Sequence, residues 1–146
     1  IERQVAAARV RLTLDIDDDI PNILGVRDQL HQVVLNLVLN AADASAPDGI
    51  VVLAISRDPA RPTEWALLEV RDYGEGIPSE HLEKVFDPFF TTKGPDKGSG
   101  LGLMMVHQIV ADHGGSIELA SEIGLGTTFG IRLPLAAGSK TPVDTA

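Results

Sequence analysis

Three stretches hold polar or glycine residues at spacings suited to a charged ligand. The first is Lys97-Gly98-Ser99-Gly100-Leu101-Gly102-Leu103, where glycines alternate at 98, 100 and 102 and an apolar run starts at once. Bare glycine backbone lets an anion approach its N–H groups closely. A helix starting directly after such a loop aims its unpaired N–H groups and positive dipole end at the same spot. This pattern would make an anion cradle, and a flexible loop ahead of a core helix is the plain alternative. The second is a set of five polar side chains, Gln29, Gln32, Asn36, Asn40 and Asp43. The third is Asp72-Tyr73-Gly74-Glu75-Gly76-Ile77-Pro78, a carboxylate followed by a double-glycine turn.

These residues need elements to position them. At about 100° per residue the five polar side chains of 27–46 fall within about 40° of one line. Leu30, Val34, Leu37, Val38 and Ala41 lie opposite, with Val33, Leu35 and Leu39 at the flanks. A long helix with one narrow polar stripe predicts a buried helix lining a polar cavity, because a solvated helix shows a broader polar face. His31 lies off the stripe and reads as a packing or surface histidine. Val10, Leu12, Leu14 and Ile16 alternate with polar residues, the period of a half-buried strand, and Asp17-Asp18-Asp19 with Pro21 and Asn22 ends it in a solvated turn. Residues 50–55 and 65–70 read as strands joined by a hairpin loop. Ser79 is placed to N-cap a short helix through about Val85. The apolar run from Leu103 reads as a helix stopped by Gly114-Gly115, and 116–121 and 127–133 read as strands.

The aromatic segment Phe86-Asp87-Pro88-Phe89-Phe90 holds three of the four phenylalanines. A packed cluster is the ordinary reading. Beside the polar, glycine-containing run 91–99 it also has the make-up of a lid hinge.

The bulk numbers narrow the classes. At 146 residues and 44% hydrophobic content the chain suits one globular domain. Residues 1–9 read as a linker or the end of a preceding helical domain, 10–135 as the domain, and 136–146 as a disordered tail. The chain begins at Ile1 rather than Met, so the expectation is a piece of a longer protein. A net charge of −9 argues against broad nucleic-acid binding. It also requires any polyphosphate to be held by local N–H groups, a few cations and a metal ion. There is no cysteine, hence no disulfide or thiolate zinc site. No apolar run approaches the roughly 20 residues of a membrane span, and no membrane contact is expected.

In order along the chain, these motifs resemble those of the catalytic, ATP-binding domain of two-component sensor histidine kinases, within the superfamily that includes gyrase, an ATP-driven chaperone and the mismatch-repair ATPases. Asn36-Leu37-Val38-Leu39-Asn40-Ala41 is similar to the N box and Asp72-Tyr73-Gly74-Glu75-Gly76 to the G1 box. Phe86-Asp87-Pro88-Phe89-Phe90 is similar to the F box, Gly98-Ser99-Gly100-Leu101-Gly102-Leu103 to the G2 box, and Gly124-Leu125-Gly126-Thr127-Thr128-Phe129 to a final glycine box. The resemblance implies a two-layer α/β sandwich (the Bergerat ATP-binding fold), with a mixed sheet of about five strands covered on one face by about three helices.

It also implies roles. Asn40 would ligate Mg²⁺ through its amide oxygen, with Asn36 assisting directly or through water. Asp72 would accept a hydrogen bond from the adenine amine, with Gly74, Gly76, Ile77 and Phe89 around the base and Thr127 supporting it through hydroxyl and water. Gly98, Gly100, Leu101, Gly102 and Leu103 would line the phosphates, and Lys93 and Lys97 would reach the β- or γ-phosphate. Asp43 departs from the pattern: many relatives carry Lys or Arg there, and a carboxylate adds repulsion towards a triphosphate.

Hydrolysing members of the superfamily carry glutamate in place of Asn36, and an amide is no general base at neutral pH. The implied activity is therefore γ-phosphoryl transfer to a protein histidine, with ATP and Mg²⁺ as cofactors. None of His31, His81, His107 or His113 sits in an acceptor setting. The acceptor would lie on a separate dimerisation domain, with a response regulator downstream; this monomeric domain would be cytoplasmic, its parent protein either soluble or membrane-anchored. A hydrolysing ATPase and a non-catalytic nucleotide-sensing module are the alternatives. A dinucleotide fold fits poorly, because 98, 100 and 102 miss the Gly-x-Gly-x-x-Gly spacing.

Overall fold

A computed structural model of the chain describes residues 9–19, 23, 25–87 and 102–136. Its strands are β1 (Arg11–Ile16), β2 (Ile50–Arg57), β3 (Trp65–Asp72), β4 (Ser116–Glu122) and β5 (Gly126–Pro134). Its α-helices are α1 (Arg27–Ala44) and α2 (Gly102–Asp112). The sheet order is β1-β2-β3-β5-β4, with β1 parallel to β2 and every other pair antiparallel. The expected mixed five-stranded sheet is present, with the hairpin between β2 and β3.

Among the described residues the three expected helical segments are present as two α-helices and one shorter turn of helix. The third segment is a 3-10 helix, Ser79–His81, followed by turns. Ser79 is its first residue and not its cap; Pro78 precedes it with no side-chain cap bond. The backbone bonds from Leu82 to Ser79, Lys84 to His81 and Asp87 to Lys84 all span three residues. The stretch is too short to recover the cost of nucleating an α-helix, and it is pinned at its end by buried Val85 and half-buried Phe86.

α1 owes its length to an uninterrupted run without Gly or Pro, and ends where Ser45 takes extended backbone. The Ser45 hydroxyl donates to Ala41 O at 2.8 Å, satisfying a terminal carbonyl. No side chain caps its start. Instead the Val26 N–H donates to Nε2 of His113 at 3.0 Å, while Nδ1 of that ring meets Ile109 O at 2.8 Å. The beginning of α1 is thus tied to the end of α2.

Both helices cover one face of the sheet. Val33, Leu37 and Val38 of α1 and Val106 and Val110 of α2 are fully buried against Val51, Val70, Phe129 and Ile131. The buried face of α1 is turned slightly towards Val33 and Ala42. Leu30 and Val34 stay half-buried at an apolar cavity of about 350 Å³ that also touches exposed His31.

β1 forms as its alternation predicts, but only Leu12 is half-buried. Leu14 and Ile16 remain 53% and 49% exposed. They face the helix side through their pairing with Leu53 and Ile55, yet unlike Leu12 they do not pack against the core cluster. Periodicity reveals which way a strand's side chains point, not what covers them.

Candidate functional site

The strand register builds the site. Asp72 on β3 lies opposite Thr127 on β5, and Thr127 lies opposite Ser121 on β4. The three form one row across three strands, and cross-strand partners point to the same face. Asp72 and Thr127 are buried polar residues within a mostly apolar interior. The turn after β3 is fastened to both ends of this row: Oδ1 of Asp72 accepts the Gly74 N–H at 2.9 Å, and Oγ of Ser121 accepts the Ile77 N–H at 2.7 Å. Ser121 also donates to Gly126 O at 3.0 Å and sits 2.8 Å from Oγ1 of Thr127.

Glycine is required where these loops meet. Gly76 has φ of +81°, and a Cβ there would collide with the Glu122 carbonyl. Gly126, at φ of +120°, approaches the Asp72 backbone just as closely. The Gly124 N–H donates to Glu75 O at 2.9 Å, completing the contact between the two turns.

Burial pushes the Asp72 carboxyl above its ordinary value, because charge is costly away from water. The backbone N–H groups of Gly74 and Thr127 pull it back without cancelling the rise.

α1 connects this row to the start of α2. A side chain at Gly74 would collide with the carbonyl of Ala44, the last residue of α1. Two turns earlier, Nδ2 of Asn36 donates to Gly102 O at 3.3 Å and approaches Sδ of Met105 at 3.8 Å. Oδ1 of Asn36 accepts from Nε2 of Gln32 at 2.9 Å. The stripe therefore runs about 12 Å along the helix axis, at 1.5 Å per residue, between the Asp72 turn and the head of α2. Asn40, half-buried, lies midway. Gly102 is exposed and Leu103 packs against the core. Phe86 stands edge-on to Phe129, with ring centres 6.2 Å apart, and 5.6 Å from the His107 ring. Phe89, Lys93, Lys97, Gly98, Gly100 and Leu101 lie outside the described residues.

A polar helix stripe joining a carboxylate turn to a glycine-led helix matches a known domain. Residues 25–137 fit the family described as histidine kinase-, DNA gyrase B-, and HSP90-like ATPase. The chain belongs to this family. Within it, 142 residues are 37% identical to sensor histidine kinase ZraS of Escherichia coli K12, covering 97% of this chain and 29% of that protein. The chain thus spans less than a third of that relative's length. The mycobacterial sensor histidine kinase MprB superposes with a TM-score of 0.76 at 29% identity over 91% of each chain. Full-length ShkA in complex with AMPPNP superposes at 0.78 and 25% identity, over 94% of this chain and 28% of that one.

In this ATPase-family domain the structure brings Asp72, Gly74, Gly76, Ile77 and Thr127 into one cluster. It sets Asn36 and Asn40 on the stripe that leads from that cluster to Gly102. Two members of the site escape sequence reasoning. Ser121 looks like any small polar residue in an alternating strand, and only the β4–β5 register puts it beside Thr127. Gln32 was visible on the stripe, but its bond to Asn36 follows only from the rotamers.

Among the described residues no three His, Cys, Asp or Glu side chains gather as a metal cage. Asn36 and Asn40 offer amide oxygens, which suit a hard ion that keeps its waters and is shared with phosphate, as Mg²⁺ is, and Asp43 adds a carboxylate near the end of the stripe. The described helices include none long and apolar enough to cross a membrane.

Proposed function

We propose that this domain binds Mg-ATP along the polar stripe of α1 and presents its γ-phosphoryl to a histidine on a separate dimerisation domain. Asp72 accepts the adenine amine, with Gly74, Gly76, Ile77 and Phe89 around the base and Thr127 beneath it. Gly98, Gly100, Leu101, Gly102 and Leu103 hold the phosphates at the head of α2, joined by Lys93 and Lys97. Asn40 ligates Mg²⁺ and Asn36 assists. Bound Mg²⁺ supplies charge neutralisation for phosphoryl transfer.

The observation that carries this reading is the placement of the Asp72 row and the Gly102 helix head at the two ends of one amide-lined stripe. Family membership and the sensor-kinase relatives support it. Asn36 also explains why water is not the acceptor. Its oxygen accepts a hydrogen bond from Gln32 and its nitrogen donates one to Gly102 O, so it holds the two helices in register and offers no base for water. Positioning and electrostatics then do the chemistry. The domain acts as a monomer on the cytoplasmic side, and a response regulator receives the phosphoryl group afterwards.

Transfer of labelled γ-phosphate from ATP to the cognate helical domain tests this. Labelling of that domain, lost in Asn40→Ala together with magnesium-dependent binding, is expected. Rapid ATP hydrolysis without labelling would replace this reading with that of a hydrolysing ATPase.

A further inference from the structure

We infer that Ser121 is a positioning residue of the base pocket: it commits the Thr127 hydroxyl proton away from the ligand, so that the pocket floor meets the base with acceptors only. This rests on the nucleotide reading above and adds a residue to it.

The inference follows from counting protons. A serine hydroxyl has one proton and two lone pairs. Ser121 Oγ has three partners: the Ile77 N–H at 2.7 Å, Gly126 O at 3.0 Å and Thr127 Oγ1 at 2.8 Å. The amide can only donate, so it occupies one lone pair. The Gly126 carbonyl can only accept, so it takes the Ser121 proton. One lone pair remains, and Thr127 must donate to it. This arrangement satisfies all three contacts at once, as half-buried and buried polar groups require. Thr127 Oγ1 is then left with lone pairs alone, one strand spacing from the Asp72 carboxylate. Two acceptors side by side suit an exocyclic amine and disfavour a carbonyl oxygen at the same ring position. The same serine holds the Ile77 end of the turn, so the floor and the wall of the pocket share one anchor.

Calorimetry with Mg-ATP and Mg-ITP on the 146-residue chain tests this, since inosine carries a carbonyl where adenine carries the amine. The wild type is expected to prefer ATP. Ser121→Ala frees the Thr127 proton to donate to the carbonyl, and should lower the ATP-to-ITP affinity ratio about three- to tenfold, the value of one hydrogen bond. Ser121→Thr keeps the hydroxyl and should keep the ratio; a ratio as low as that of Ser121→Ala would overturn the proposal. Equal weakening of both nucleotides in Ser121→Ala would also overturn it and leave a purely structural serine. If Ser121→Ala fails to fold, Thr127→Val, which removes the partner hydroxyl, must lower the ratio instead, and an unchanged ratio there sinks the idea. A wild-type chain that binds neither nucleotide would refute the nucleotide reading itself, and this inference with it.

Discussion

Nδ2 of Asn36 lies 3.3 Å from the carbonyl oxygen of Gly102 and so joins the middle of one helix to the first residue of the other. The bond has a direction: the amide donates and the carbonyl accepts. Asn36→Asp is nearly isosteric yet puts an acceptor against an acceptor. We expect it to lower unfolding stability by about 0.5–1.5 kcal/mol, the net worth of a hydrogen bond whose exposed partner water can reach. It should also weaken nucleotide binding, because α2 loses its tether. Thermal melting and calorimetry on the same sample measure both. An unchanged melting midpoint would show that this tether contributes nothing.

Asp72 gives a pH prediction whose sign is fixed by burial. Its folded carboxyl binds protons more tightly than the unfolded one, so the charged form opposes folding. For this group the penalty is absent below the ordinary value of 3.8, grows as pH rises towards the elevated folded value, and is complete above it. Asp72→Asn removes the penalty while an amide oxygen still accepts the Gly74 N–H. The ligand-free variant should therefore be at least as stable as wild type at neutral pH. ATP affinity should move oppositely, rising with pH over the same window as the carboxylate acceptor forms. Asp72→Asn should cost about tenfold to a hundredfold in ATP affinity at neutral pH, the worth of a hydrogen bond to a charged group. Denaturation and binding titrations from pH 3.8 upwards into the neutral range follow the two trends, and parallel slopes would contradict the assignment.

Much of this is legible in the residue pattern alone. Helix α1 and its amide stripe came from a 3.6-residue period that eighteen residues repeat without a breaker, and the Asp72 turn came from two glycines after an apolar strand. Long-range register was not legible. Nothing local marks Ser121 as the partner of Thr127, nor Ala44 as the contact of Gly74, because both follow from how strands and helix slide against one another. Ser79 has the right chemistry for a cap, so the pattern after Pro78 predicts a capped helix. The chain instead takes three-residue bonds there, a choice made by the anchoring of Val85 and Phe86.

Two glycines with nearly equal φ should respond differently to alanine. Gly76 and Gly124 have φ of +81° and +84°. A methyl group at Gly76 would collide with the Glu122 backbone, whereas nothing lies within 4 Å of one at Gly124. Gly124→Ala should cost only the left-handed conformation, about 1–2 kcal/mol. Gly76→Ala should cost clearly more and should also impair ATP binding, since the turn must lift off β4. Equal losses in chemical denaturation would mean that the turn yields freely.

Arg132 bridges two carboxylates of unequal worth. Its Nη1 lies 2.7 Å from Oε1 of Glu118, and its Nε lies 2.9 Å from Oδ2 of Asp58. Distance alone would rank Glu118 first. Exposure reverses the order, because the Glu118 side chain is 69% exposed and that of Asp58 only 5%. Water already solvates Glu118, so Glu118→Ala should cost under about 1 kcal/mol. Asp58 also accepts the Ala60 N–H at 3.1 Å and sets the hairpin that joins β2 to β3. The Ala60 N–H and the Arg132 guanidinium hold its carboxyl below the usual range against the opposing effect of burial. Asp58→Ala should therefore lower the melting midpoint well beyond Glu118→Ala, by leaving the Ala60 N–H and the half-buried guanidinium without their acceptor. The Asp58 contribution exists above the ordinary carboxyl value of 3.8 and fades only as pH falls through its depressed folded value, so the gap between the two variants should stay constant from neutral pH down to mildly acidic buffer. A gap that closed within that range, or a larger loss for Glu118→Ala, would show that contact length and not desolvation governs this cluster.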